Sequence, residues 1–407
     1  MNLKEAKQVK RKNYIFIILG VIVVFLIGNI TARFGFIIGP NFKEYHNAVK
    51  YAEEYSKYSG LFEARQTIIN NYNGDIDDSA LLDGAIKGMT ASLNDPYSVY
   101  MNADEYKKFN MSNSGIRIGI GISISVQNDR VTIISVEEGK PADKADLKTG
   151  DIILKVDGED IEGDTSKAVS LISDATKNST VLTILREDET FEVKLEKEEI
   201  KSSSTESEML NDKVGYIRLK DFNEGSSDEF IEALTQLKDN GMEGLIFDLR
   251  SNGGGFLNEA ENIASQFIPK DEVITTLNNK FNKQKVSLSK GGIAEDIPVV
   301  LLVNSNTASA SEVVTGALRD YNIATIVGTN TYGKGVAQST FKIKSTEGAL
   351  KVTIDSFYTP NGENINKVGI KPDYEVELTE EDVKGGYTKE KDPQYQKAIE
   401  IINEQLK

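Results

Sequence analysis

The chain has 407 residues, ordinary apolar and charged contents, and a net charge of −16. Its first twelve residues carry five Lys or Arg against Glu5, a net of +4, so the remainder stands at −20, and an acidic body argues against a nucleic-acid partner, whose affinity rests on neutralised phosphates. With no cysteine and one histidine, His46, the chain has no disulfide, no thiol catalysis and no Cys or two-His metal site, and a Ser-His-Asp triad would have to use His46.

The apolar run Tyr14 to Gly28 follows the basic N-terminus. It is slightly short for a span of ~17–25 residues, and Ala32 to Ile38 extend it. The charge order places the N-terminus in the cytoplasm and the body outside it. A cleaved signal peptide has a similar pattern, but Asn29-Ile30-Thr31-Ala32-Arg33 is a poor cleavage site, which favours an uncleaved signal anchor. Residues 1–40 are therefore expected to be tail and transmembrane anchor. Residues 41–112 read as helical, with helices over Asn41 to Thr67 and Asp77 to Leu93 and a turn at Leu93-Asn94-Asp95-Pro96-Tyr97-Ser98. His46 falls in a polar helical pattern and reads as a surface side chain.

Residues 113–197 change character. Strands are expected over Arg117 to Ser125, Arg130 to Val136, Ile152 to Val156, Val181 to Arg186 and Thr190 to Leu195, with a helix from Ser166 to Ile172. Glu196 to Glu208, with three serines in a row, reads as a linker. Residues 198–378 alternate strand and helix. The strands are Val214 to Leu219, Gly244 to Leu249, Pro298 to Val303 and Ala324 to Gly328. The helices are Ser226 to Asn240, Phe256 to Phe267 and Ser309 to Asp320. This is the pattern of an α/β core with a mostly parallel sheet. Lys351 to Tyr358 adds a strand. Residues 379–407 form a charged tail ending in a helix from Pro393 to Leu406.

The chemistry concentrates between Val303 and Gln338. Ser309 opens a helix after a buried strand, and Lys334, flanked by Gly333 and Gly335, lies 25 positions on. A serine hydroxyl needs a base, and with no usable histidine a lysine can serve if desolvation brings its pKa down from ~10.4. The Ala310 N–H at the helix start suits a developing oxyanion. The glycine-rich turn Arg250-Ser251-Asn252-Gly253-Gly254-Gly255 can supply a second donor. From composition alone, helix capping by Thr307, Ser309 and Ser311 explains the serines at least as well. Gly328 to Gly335 nearly matches a P-loop, but Gly335 replaces its Ser/Thr and a strand pattern follows where a helix is required. Ser287-Leu288-Ser289-Lys290 matches S-x-x-K without the companion motifs.

Two stretches carry a family resemblance. Gly115 to Leu195 resembles a PDZ domain, an α+β module, with Ile118-Gly119-Ile120-Gly121 matching its carboxylate-binding loop. The order of anchor, helical segment, PDZ module and α/β core resembles the C-terminal processing (tail-specific) serine peptidases from about Asn41 to Asp373. In the core the resemblance rests on the Asp248-Leu249-Arg250 turn, Thr307 to Glu312, Tyr332 to Gln338, Tyr358 to Gly362 and Gly369 to Asp373.

The resemblance implies Ser309 as nucleophile, Lys334 as general base and Gln338 as the residue orienting the lysine, with oxyanion donors from Ala310 and one glycine, Gly254 foremost. It also implies capture of apolar protein C-termini and a homodimer, which the helices at both ends, Asn41 to Thr67 and Pro393 to Leu406, could build, with no cofactor. One departure stands out: Leu171-Ile172-Ser173-Asp174 replaces the family's frequent Leu-Ile-Arg-Gly, which puts coupling between peptide binding and activation in doubt. The alternative reading is a catalytically silent PDZ scaffold.

Overall fold

The computed structural model describes residues 16, 18–27, 56–174, 176–379, 381–382 and 386–407, which fall in two compact units, 1–85 and 86–407. In the first unit, the helical residues 18–27 carry exposed apolar side chains, and among the described residues no helix is long and apolar enough to cross a membrane. The expected span Tyr14 to Gly28 and its extension lie partly outside the described residues, as do His46 and most of Asn41 to Thr67. The helix Ser59–Asn71 is described; it runs past the expected end at Thr67. Arg65 grips Asp78 through two hydrogen bonds of 2.6 and 2.5 Å.

The second unit begins within the helix Asp78–Ala91 and contains three substantial sheets. The first is antiparallel, in the order Ile122–Gln127, Arg130–Val136, Ile152–Val156, Ser179–Arg186, Glu189–Glu196. Its inward residues, among them Val131, Ile133, Ile153, Leu182 and Ile184, form a separate core with Ala168 and Ile172 of the helix Thr165–Ile172. The single strand expected over Arg117 to Ser125 is broken. Gly121 takes φ +79°, and Ile116–Gly119 pairs instead with Glu198–Lys201. That pairing, and the strand Thr205–Met209, replace the expected linker over Glu196 to Glu208. Charged residues alternating along edge strands read as polar linker when neither neighbour is known.

The second sheet has the order Thr205–Met209, Val214–Leu219, Gly244–Asp248, Val299–Val303, Ala324–Gly328, Tyr374–Glu375. All its pairs are parallel except the first. Period two divides its side chains between two cores. Ile217, Leu245, Phe247, Leu301 and Val303 face the helices Ser226–Asp239, Leu257–Ala264 and Ala310–Asp320. Tyr216, Ile246, Val300, Leu302 and Val327 face Tyr395, Ala398, Ile401 and Ile402 of the helix Pro393–Gln405. The charged tail thus ends in the second face of the core, and its apolar stripe is used within the chain.

The third sheet, which the strand-helix alternation did not announce, is antiparallel. Ala349–Tyr358 is its centre, paired with Val99–Met101, Val273–Asn279 and Val336–Lys342, while Gln284–Leu288 pairs with Val273–Asn279. The sheets as a whole are therefore mixed, and the mostly parallel description fits the central one.

Candidate active site

Active crevices of α/β sheets form at the carboxyl ends of parallel strands. Here the strands Gly244–Asp248 and Val299–Val303 lead to the glycine turn and to Ser309 respectively. Ser309 precedes the helix Ala310–Asp320 with φ +59° and ψ −115°. A side chain rarely tolerates that region, and such strain gathers at functional positions. The backbone of Glu312 donates to the Ser309 carbonyl at 2.8 Å, and Ser309 and Glu312 close a capping box in which the serine hydroxyl can only accept, so its own proton is not used. Capping therefore does not consume the hydroxyl proton.

Ser309, Ala310, Gly253, Gly254, Gly255, Lys334 and Gln338 line one cavity of about 640 Å³. Leu257, Leu277, Val313, Ala337 and Phe357 give it an apolar wall, and Phe109, Asn110, Asn113 and Lys351 also border it. The PDZ residues Ile118 to Gly121 do not line it. Burial lowers the pKa of Lys334, and the nearby Lys351 cation lowers it further, against opposing pulls from Asp95 and Glu312. The flanking glycines are explained by close approach. A Cβ on Gly333, which has φ +85°, would lie 2.8 Å from the Gly369 nitrogen, and one on Gly335 2.6 Å from the Asn366 nitrogen. The strand following Lys334, Val336–Lys342, is what a P-loop would lack.

Lys334 itself precedes that strand, and a register shift falls between Ala337 and Gln338. Simple period-two alternation therefore does not relate Lys334 to Gln338. The Gln338 amide nitrogen donates to Thr353 Oγ1 at 3.1 Å and to the Val336 carbonyl at 3.4 Å.

The glycine turn is fixed from three sides. Asn252, fully buried, donates to the Leu219 carbonyl at 2.9 Å and accepts the Gly254 N–H at 2.9 Å. Its own carbonyl accepts from the Ala308 N–H and the Ser311 hydroxyl, tying the turn to the serine-bearing loop. Gly254 has φ +97° and lies so close that a Cβ would stand 2.9 Å from the Ala310 nitrogen. Below the turn, Arg250 is held by Asp248 and Asp392, which keep its guanidinium charged and its pKa raised even though burial opposes it. Tyr216 donates to Asp248 at 2.9 Å.

One functional residue was not singled out from the sequence. The Glu312 carboxylate, fully buried, accepts four hydrogen bonds. Oε2 takes the N–H of Ser309 (2.8 Å) and of Lys334 (2.9 Å). Oε1 takes the Thr331 hydroxyl (2.6 Å) and the Gly333 N–H (2.7 Å). A single side chain thus sets the backbone of Ser309 against that of Lys334. The legible signal was Ser309-x-x-Glu312, the capping-box pattern.

Comparison with known proteins gives the family. Residues 213–376 match peptidase family S41, 119–196 match the PDZ domain, and 40–105 match the activating protease CtpB N-terminal domain. A probable CtpA-like serine protease of Staphylococcus aureus (strain COL) is 32% identical over 382 residues, spanning 92% of this chain and 75% of that protein. One of Staphylococcus haemolyticus (strain JCSC1435) is 33% identical over 373 residues, spanning 91% and 74%. A putative S41 protease from Bacteroides fragilis NCTC 9343 shares the fold, with a TM-score of 0.57 over 82% of this chain and 91% of that one at 19% identity. The chain belongs to peptidase family S41, the C-terminal processing serine peptidases, and is a serine peptidase with a PDZ domain.

Proposed function

We propose that the chain is a membrane-anchored, extracytoplasmic endopeptidase that captures apolar C-terminal tails and cleaves peptide bonds through a Ser309–Lys334 dyad. The observation that carries this reading is the meeting of a strained Ser309 and a desolvated Lys334 on one cavity. Ser309 Oγ attacks the peptide carbonyl as Lys334 Nζ takes its proton. The ammonium then protonates the leaving amine, and water, activated by the same lysine, releases the acyl group.

The Ala310 N–H heads the helix and makes no hydrogen bond with any described residue, which suits an oxyanion donor. Gly254 stands against it, and its N–H becomes a second donor once it leaves Asn252. Gln338 keeps its side-chain oxygen for Lys334 while Thr353 holds its nitrogen.

Residues 113–197 are taken as the capture module and 198–378 as the peptidase. The strand Ile122–Gln127 is an edge of its sheet and can accept an extended peptide whose carboxylate meets the loop Ile118 to Gly121. The basic tail and the apolar helical residues 18–27 support an anchor with the body outside the cytoplasm. A homodimer would draw on residues 41–112, since the C-terminal helix is committed to the core. The silent-scaffold alternative has no use for a desolvated lysine beside a strained serine.

The test is a pair of protein substrates that differ only in the last residues, apolar against charged, incubated with the body and with its Ser309→Ala variant. Cleavage of the apolar-tailed substrate alone, lost in the variant, supports the reading; equal cleavage of both, or cleavage by the variant, overturns it.

A further inference from the structure

The turn Asp95-Pro96-Tyr97-Ser98 joins the helix Asp78–Ala91 to the strand Val99–Met101 and is anchored far more firmly than a connection requires. The Ser98 hydroxyl donates to Asp95 at 2.5 Å and accepts the Thr353 N–H at 3.0 Å. The Tyr97 N–H donates to Asp95 at 3.1 Å. Thr353 is the residue whose hydroxyl holds Gln338, so the turn is fastened to the backbone of the strand that supports the cavity. What this anchoring presents is the face of Tyr97. The Lys334 ammonium nitrogen lies 4.8 Å from the ring centroid.

A ring face attracts a cation and has no comparable attraction for a neutral amine, and the attraction grows where water is excluded. We propose that Tyr97 is a positioning residue for the general base: its ring holds the protonated amine of Lys334 inside the cavity between uptake of the Ser309 proton and its delivery to the leaving amine. This rests on the Ser309–Lys334 reading.

The charges around Lys334 leave that task open. Asp95 and Glu312 favour the ammonium and Lys351 opposes it. Among the described residues none of these carboxylates forms an ion pair with Lys334. Glu312 spends both oxygens on Ser309, Thr331, Gly333 and the Lys334 backbone, and Asp95 serves Tyr97 and Ser98. The other titratable neighbour, Tyr332, meets the Tyr97 hydroxyl at 3.5 Å. That contact and burial push the Tyr97 hydroxyl up to about 12, so the ring stays a neutral phenol across the range in which an amine base would titrate.

The experiment is the pH dependence of kcat and kcat/KM for the whole chain on one peptide substrate, in wild type, Tyr97→Leu, Tyr97→Phe and Tyr97→Trp. Loss of the ring face in Tyr97→Leu should favour the free amine, moving the acid limb to lower pH by about half a unit or more, and should lower the plateau kcat about tenfold. Tyr97→Phe should keep the limb where wild type has it, and Tyr97→Trp should leave it there or raise it.

An unmoved limb in Tyr97→Leu, or an equal shift in Tyr97→Phe, would overturn the proposal, the first by leaving Tyr97 a packing role and the second by placing the effect in the hydroxyl. Should Tyr97→Leu fail to fold by its urea midpoint, a ring-fluorinated phenylalanine at position 97, with its weakened face and nearly the same shape, takes its place beside Tyr97→Phe. Its limb should then lie at lower pH than that of Tyr97→Phe, and coincident limbs would overturn the proposal. Turnover surviving in Lys334→Ala would instead sink the dyad itself, whatever the ring variants do.

Discussion

Glu312→Gln tests the geometry most severely for its size. The carboxylate accepts four donors, two at each oxygen, in a fully buried position. A carboxamide has one acceptor oxygen and one NH₂ group. Placed at Oε2, the NH₂ would confront the N–H of both Ser309 and Lys334. Placed at Oε1, it meets the Thr331 hydroxyl, which can turn to accept, and the Gly333 N–H, which cannot.

Even the milder orientation loses one charge-assisted bond and strands a buried donor, together about 3–6 kcal/mol. The same displacement moves Ser309 against Lys334, and a shift of about 1 Å at such a site costs on the order of a hundredfold in rate. Urea unfolding and kcat/KM on a peptide with an apolar tail measure the two effects. Glu312→Gln with a wild-type midpoint and wild-type turnover would refute the claim that this carboxylate holds the two halves of the site in register.

Four other outcomes follow from the same structure. Gly254→Ala should lose most activity, because its Cβ would stand 2.7 Å from the Ala308 carbonyl at a backbone φ of +97°; a variant of unchanged kcat/KM would count against the close approach. Asp392→Ala removes one charge-assisted bond to Arg250 and the cap of the C-terminal helix, a loss of about 3 kcal/mol read as a lower urea midpoint. Activity should rise with pH as Lys334 deprotonates, with an acid limb below that of an ordinary lysine because burial and Lys351 lower its pKa. Lys351→Met removes the repelling charge and should therefore move that limb to higher pH; movement to lower pH contradicts the assignment.

The sequence made the central sheet legible because its strands are buried on both faces. Pro298 to Val303 and Gly244 to Leu249 read as strands with no knowledge of their neighbours, and the structure has them at Val299–Val303 and Gly244–Asp248. It made Ser309 and Lys334 legible as a candidate pair because the lack of usable histidines left few alternatives and because the surrounding motifs resemble a family. It hid what is assembled from distant segments. Glu312 unites residues 19 to 22 positions downstream with its own helix start. Tyr97 reaches Tyr332 across 235 positions. The charged edge strand Thr205–Met209 reads as linker until Val214–Leu219 is seen beside it. The helix expected over Pro393 to Leu406 is present, but that its few apolar residues cover the second face of the central sheet was not legible.

The central claim is that Ser309 and Lys334 act as one catalytic pair. Its most direct test is acid-quenched intact-mass measurement of the body during turnover of an ester substrate, beside Lys334→Ala and Ser309→Ala. The structure predicts an acyl adduct on Ser309 in the wild type, its formation slowed by orders of magnitude in Lys334→Ala and absent in Ser309→Ala. An adduct forming at the wild-type rate without Lys334, or hydrolysis continuing without Ser309, would contradict it.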